Sequence, residues 1–157
     1  MKKLDKYNVE LAEEGVLKFW QENEIFERSV KNRVGEKEFV WFDGPPFANG
    51  LPHFGHSLVT SIKDAVGRYK TMKGYYMPRR LGWDCHGLPV EYEVEKSLGI
   101  TSKKQILEIG IEKFNQLCRD SVFKYKKDWE DYLERLGRFA DKKNYYATLD
   151  PGYMESV

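Results

Sequence analysis

Two short constellations hold all three histidines of the chain, and both are built from residue types that handle charge. The first is Pro52-His53-Phe54-Gly55-His56. Imidazoles three positions apart fall on nearly one face of a first helical turn. A helix N-terminus adds unpaired N–H groups and a partial positive charge, which favour phosphate. Gly55 removes a side chain between the rings, so a nucleotide could approach the backbone closely. Such a site could stabilise charge that develops on a phosphate during attack at phosphorus. The same spacing could hold a metal, but zinc wants further close ligands, and Cys85 and His86 alone are on offer. An ordinary pair of exposed polar residues is the plainest alternative.

The second constellation is Gly82-Trp83-Asp84-Cys85-His86-Gly87-Leu88-Pro89-Val90-Glu91. Asp84 stands between glycines that let the chain bend, and a substrate ammonium is a natural partner for its carboxylate. A turn or helix-capping aspartate is the competing reading. Cys85 could be a nucleophile beside His86, yet no third orienting group is evident.

The elements that must position these residues are readable by period. Asn8 can cap a helix to about Asn23, with Val9, Ala12, Val16, Phe19 and Trp20 as its apolar stripe. Polar residues 28–37 read as a loop. Phe39-Val40-Trp41-Phe42 reads as a strand buried on both faces of a parallel sheet, ended by Asp43-Gly44-Pro45-Pro46. From His56 a helix runs through Leu58, Val59, Ile62, Ala65, Val66, Tyr69 and Met72 to a cap near Gly74. A second strand is expected over 75–81, with Pro78 marking an edge position or an irregular start. Strand, loop, helix and strand make a βαβ unit, and open α/β sheets bind ligands beyond the carboxyl ends of their strands. Residues 82–89 form the second loop, and Ser102 with Gln105 a capping box. One long helix is expected from Ile111 to Leu136, roughly 39 Å at the α-helical rise. Its aromatic stripe (Phe114, Tyr125, Trp129, Tyr132) reads as core packing, and its lysines, interleaved with acids, as a solvated face. The tail from Tyr145 to Val157 shows turn chemistry at Asp150-Pro151-Gly152.

Bulk properties exclude several classes. The 157 residues suffice for a core, and 41% apolar with 32% charged residues is a globular mixture. A net charge of +1 marks no nucleic-acid or membrane surface. No apolar run reaches the ~18 residues a membrane span needs. Met1-Lys2-Lys3-Leu4-Asp5 lacks the apolar stretch of a signal peptide, and two cysteines make no disulfide framework. A cytoplasmic location is expected.

Asp43-Gly44-Pro45-Pro46-Phe47-Ala48-Asn49-Gly50 followed by His53-Phe54-Gly55-His56 resembles the first signature of the class I aminoacyl-tRNA synthetases, in its isoleucine form. Lys63-Asp64, Arg68-Tyr69, Met72-Lys73-Gly74 and the segment 82–91 fall in the same order, so the likeness covers about residues 8–157. The Pro-Phe-Ala-Asn-Gly loop and Trp-Asp-Cys-His-Gly-Leu-Pro separate it from the valine and leucine patterns. Phe54 and Phe47 depart slightly from the family's usual residues.

The resemblance implies an α/β fold: the first half of a Rossmann-like catalytic domain over 38–157, preceded by a helical extension over 1–37. It implies that ATP and isoleucine form isoleucyl-adenylate and pyrophosphate, and that the amino acid then passes to its tRNA. On this analogy Asn49, His53, Gly55 and His56 bind ATP, the two histidines steady the phosphates, Gly44 and Pro45 line the amino-acid site, and Asp84 takes the α-ammonium. Mg2+ accompanies ATP; no metal ligand is expected in this chain, and zinc belongs to regions it lacks. The family's Lys-Met-Ser-Lys-Ser loop, editing insertion and anticodon-binding helices are absent. The chain is therefore expected to be a fragment cut before the editing insertion, with little or no activity alone. Small nucleotidyltransferases share the H-x-G-H motif but not the 82–91 segment, and a non-enzymatic binding module is the remaining alternative.

Overall fold

The computed structural model describes residues 7–157, so the leader reading of residues 1–5 lies outside the described residues. Asn8 caps α1 (Val9–Glu22), its side-chain oxygen accepting the Leu11 N–H at 3.2 Å. Helix α2 (Ile25–Lys31) follows at once, corner-turned by Glu24 in the left-handed region (φ 49°). The expected loop over 28–37 is therefore wrong for its first four residues, which continue α2. The apolar stripe of α1 also points elsewhere than inward: Val9, Val16 and Phe19 are exposed, while Leu17 and Trp20 pack at Gly137.

Residues 39–42 are not a buried strand. Two isolated parallel bridges, Glu38 to Tyr76 and Phe47 to Asp84, bracket the segment, and between them Val40, Trp41 and Phe42 are exposed. Pro45 and Pro46 carry no N–H, which limits the ladder this stretch can build. The βαβ path survives in outline, because 38–47 still runs parallel to 76–84.

Helix α3 (Phe54–Met72) starts two residues before the expected His56 and ends at Lys73, with Gly74 just beyond at φ 94°. Its stripe of Leu58, Val59, Ile62, Tyr69 and Met72 faces solvent; Gly67 and Thr71 face inward. The second strand, β1 (Arg80–Trp83), lies later than the expected 75–81 and takes Gly82 and Trp83 out of the second loop. Among the described residues its one ladder partner lies in a two-stranded sheet, with isolated bridges at Tyr76 and Asp84 on either end, and Pro78 stands just before its start.

Helices α4 (Leu88–Leu98) and α5 (Lys103–Ile109) pack on α6 (Ile111–Ser121), and Gln105 caps α5 through Ser102 and Thr101. The single long helix is in fact two, α6 and α7 (Lys126–Arg135). The break has a cause: the Tyr125 N–H leaves the helical ladder and donates to Ala48 O at 2.8 Å. The tail holds β2 (Asp141–Ala147) and α8 (Pro151–Met154), where only a turn was expected. Strand β2 pairs with β1 in parallel, Gly82 facing Tyr146 and Trp83 facing Ala147. The core gathers Ala48, Trp83, Val90, Val122, Trp129, Leu133 and Ala147 directly beneath the carboxyl ends of these strands.

Candidate active site

His53 is the N-cap of α3, and its own ring performs the capping. Its Nδ1 accepts the Gly55 N–H at 3.2 Å, while His56 Nδ1 accepts the His53 N–H at 3.1 Å. With both Nδ1 atoms engaged as acceptors, each neutral ring must carry its proton on Nε2. The helix start thus presents two imidazole N–H donors whose tautomer is fixed by the backbone. The rings stack at 3.7 Å between centroids. Gly55 also has a reason besides nucleotide access: a Cβ there would sit 3.0 Å from the His53 ring, which would have to give by a few tenths of an ångström. Burial, then the neighbouring His53 and Lys63 charges, hold the His56 pKa below its ordinary value, so His56 is neutral near pH 7.

The loop before α3 is tied down residue by residue. Asp43 pairs with Lys63 and with Arg138 at 3.5 Å, and its carbonyl accepts from Tyr146 Oη at 3.3 Å. Lys63 also donates to Gly44 O at 3.3 Å. Asn49 Nδ2 donates to Pro89 O at 3.1 Å, and the Asp84 N–H donates to Pro46 O at 2.9 Å, so the two loops are joined side by side. Gly44 is exposed and Pro45 half-buried.

Asp84 follows β1 directly and is half-buried. Thr148 Oγ1 lies 3.4 Å from its Oδ1, and among the described residues Asp84 enters no ion pair. An unneutralised carboxylate at the end of a strand is suited to an incoming cation. Cys85 is buried, with its thiol pushed up mainly by that burial, which disfavours a thiolate. His86 Nε2–H donates to Thr148 O at 3.2 Å and serves the loop rather than Cys85.

Sequence reasoning assigned Tyr125, Trp129 and Tyr132 to core packing, but they also hold the site. Trp129 Nε1–H donates to Gly50 O at 2.8 Å, its ring stands edge-on to His56 at 4.7 Å, and Tyr132 Oη lies 2.6 Å from Ser57 Oγ. The available signal is a pair of polar-tipped aromatics, Trp129 and Tyr132, three apart on one helix face.

Of two clefts of about 640 and 860 Å3, the first is lined by Trp20, Phe26 and Phe139 and takes in none of the candidate site residues, while the second, lined by Trp41, Tyr146 and Tyr153, takes in Pro45 with Asp43 and Lys63. Neither includes His53, His56 or Asp84, and the convergence of donors at the strand ends outweighs cavity size in locating the chemistry. Among the described residues no group of three or more His, Cys, Asp or Glu side chains comes together as a metal cage, and no helix is long and apolar enough to cross a membrane.

Residues 15–157 match the family model described as tRNA synthetases class I (I, L, M and V), and the chain belongs to that family. Its curated relatives include isoleucine–tRNA ligases. That of Chlamydia pneumoniae is 57% identical over 145 residues, covering 92% of this chain and 14% of the relative. That of Thermus thermophilus is 54% identical over 156 residues, covering 99% and 15%. The chain thus spans about 14% to 15% of the length of these relatives. In fold it is similar to the LeuRS of Agrobacterium radiobacter K84 (agnB2), solved as a ternary complex with tRNA and LeuAMS. That likeness has a TM-score of 0.63 at 23% identity, covering 94% of this chain and 16% of that one.

Proposed function

We propose that this chain supplies the ATP-facing and ammonium-facing half of the activation site of an isoleucine–tRNA ligase. The reading rests above all on the paired imidazole caps, which leave two Nε2–H donors at a helix N-terminus, with an unneutralised Asp84 on the loop joined to theirs. Residues 38–157 would form the first half of the catalytic domain, and residues 1–37 an N-terminal extension whose described helices meet it through Trp20 and Phe139.

In the proposed reaction an isoleucine carboxylate oxygen attacks the α-phosphorus of ATP. The Pα–O bond to the β-phosphate breaks, and pyrophosphate leaves with its electron pair. No proton need move, so the work is positioning and charge stabilisation. His53 and His56 would donate Nε2–H to phosphate oxygens, Gly55 would keep the His53 ring in place, and Asn49 would hold the loop around the nucleotide. Gly44 and Pro45 would line the amino-acid side, with Asp84 binding its ammonium. Magnesium would arrive with ATP and offset its charge. Transfer to tRNA and discrimination against valine, which differs by one methylene, would draw on the remainder of the protein.

The test is binding of a non-hydrolysable isoleucyl-adenylate analogue, followed calorimetrically. His53→Ala and Asp84→Ala should each weaken it, by about tenfold or more for Asp84→Ala, where a charge-assisted contact is lost. Equal affinity in both variants overturns the assignment.

A further inference from the structure

Helix α7 touches the first loop and the start of α3 at three places, one through the backbone at its N-cap and two through side chains on one helical face. The Tyr125 N–H, at the helix's threshold, holds Ala48 O at 2.8 Å; Trp129 Nε1–H holds Gly50 O at 2.8 Å; Tyr132 Oη meets Ser57 Oγ at 2.6 Å. Trp129 and Tyr132 are three apart, so one rigid helix presents both side chains, with the Tyr125 N–H standing at its N-cap. The middle contact does most. Trp129 is 2% exposed, and its ring meets His56 edge-on at 4.7 Å and Trp83, the residue before Asp84, at 6.2 Å. One side chain therefore touches the carbonyl before the histidine motif, the second histidine itself, and the neighbour of the carboxylate.

We infer that Trp129 is a positioning residue of the activation site, acting through Gly50 and His56 to hold the phosphate-facing imidazole in one orientation and one tautomer. This rests on the function proposed above. The physical ground is that residues 49–52 lie in no helix or strand and make no backbone–backbone hydrogen bond among the described residues, so this part of the loop keeps its course through side-chain contacts such as those of Asn49 with Pro89 O and Trp129 with Gly50 O. An imidazole is useful as a donor only while Nδ1 stays on the His53 N–H, and the indole edge blocks the ring rotation that would release it.

The experiment uses the 157-residue chain and Trp129→Phe, which keeps a ring and loses the indole N–H. Three quantities are read: the thermal midpoint, the 15N shifts and titration of the His56 ring, and affinity for ATP. The expected result is a folded variant in which His56 loses its uniform Nε2–H signature and titrates nearer its ordinary value. ATP affinity should fall roughly three- to tenfold, the scale of one net hydrogen bond. A folded variant with an unchanged His56 signature and unchanged ATP affinity overturns the inference and reduces Trp129 to packing. If the unaltered chain binds no ATP while the variant still moves His56, the proposed function fails and the positioning role stands. Should Trp129→Phe unfold, Tyr132→Phe, which releases Ser57 from the same helix face, takes its place with the same readouts and the same overturning result.

Discussion

At the residue scale, His56 is pressed from three sides: the stacked His53 ring, the Lys63 ammonium and the edge of Trp129. Burial is the leading reason that its pKa lies below 6.5, followed by the two charges. The consequence for stability has a definite sign. Above pH 6.5 the ring is neutral in folded and unfolded chains alike, and it contributes no slope. As pH falls through 6.5 the unfolded chain takes up the proton first, so stability declines until the folded value is reached and then levels off. Protonation also removes the Nδ1 acceptor that caps the His53 N–H. Thermal midpoints measured from pH 7.5 to 5 should therefore fall for the chain and fall less for His56→Gln. Parallel curves would mean that His56 is not the titrating group.

At the element scale, the β1–β2 pair depends on a residue with no side chain. Gly82 faces Tyr146, whose ring occupies the space a Cβ would need and whose hydroxyl reaches Asp43 O. Gly82→Ala must drive the two strands apart or displace the tyrosine, at a cost of about 1–3 kcal/mol in overpacking. Urea unfolding should register that loss, and an unchanged midpoint would refute the contact. The sequence disclosed some elements and hid others for reasons visible here. Asn8, Ser102 and Gln105 signal their caps because capping is local. Strand β2 went unseen because Asp141-Lys142-Lys143-Asn144 has no apolar alternation, and its pairing with β1 is a long-range fact. The split between α6 and α7 was equally hidden, since an unbroken helical period runs across residues whose backbone is claimed by Ala48. For the site, H-x-G-H could be read as a helix start because both histidines act within one turn. The part played by Trp129 could not, because its partners lie in another loop.

At the scale of the whole molecule, several large apolar side chains stay uncovered. Phe42, Phe54, Leu58, Ile62 and Met72 are all exposed, and the 39–42 stretch offers extended backbone with little pairing of its own. Apolar groups beside an unpaired extended segment invite association with other chains. Sedimentation should show the 157-residue chain self-associating as concentration rises, with Phe42→Lys shifting it toward monomer. A chain that stays monomeric throughout would show that these side chains are adequately shielded.

The tether from Trp129 to Gly50 joins residues 79 positions apart. A chain is made from its N-terminus, so the histidine motif is synthesised well before the helix that steadies it. At about 5–20 residues per second, roughly 4 to 16 s separate the two events. During that interval the loop must remain loosely ordered, however early α3 itself forms, because closing so long a span waits on the later segment. Nascent chains halted shortly before residue 129 would thus carry every histidine of the site and none of its discipline.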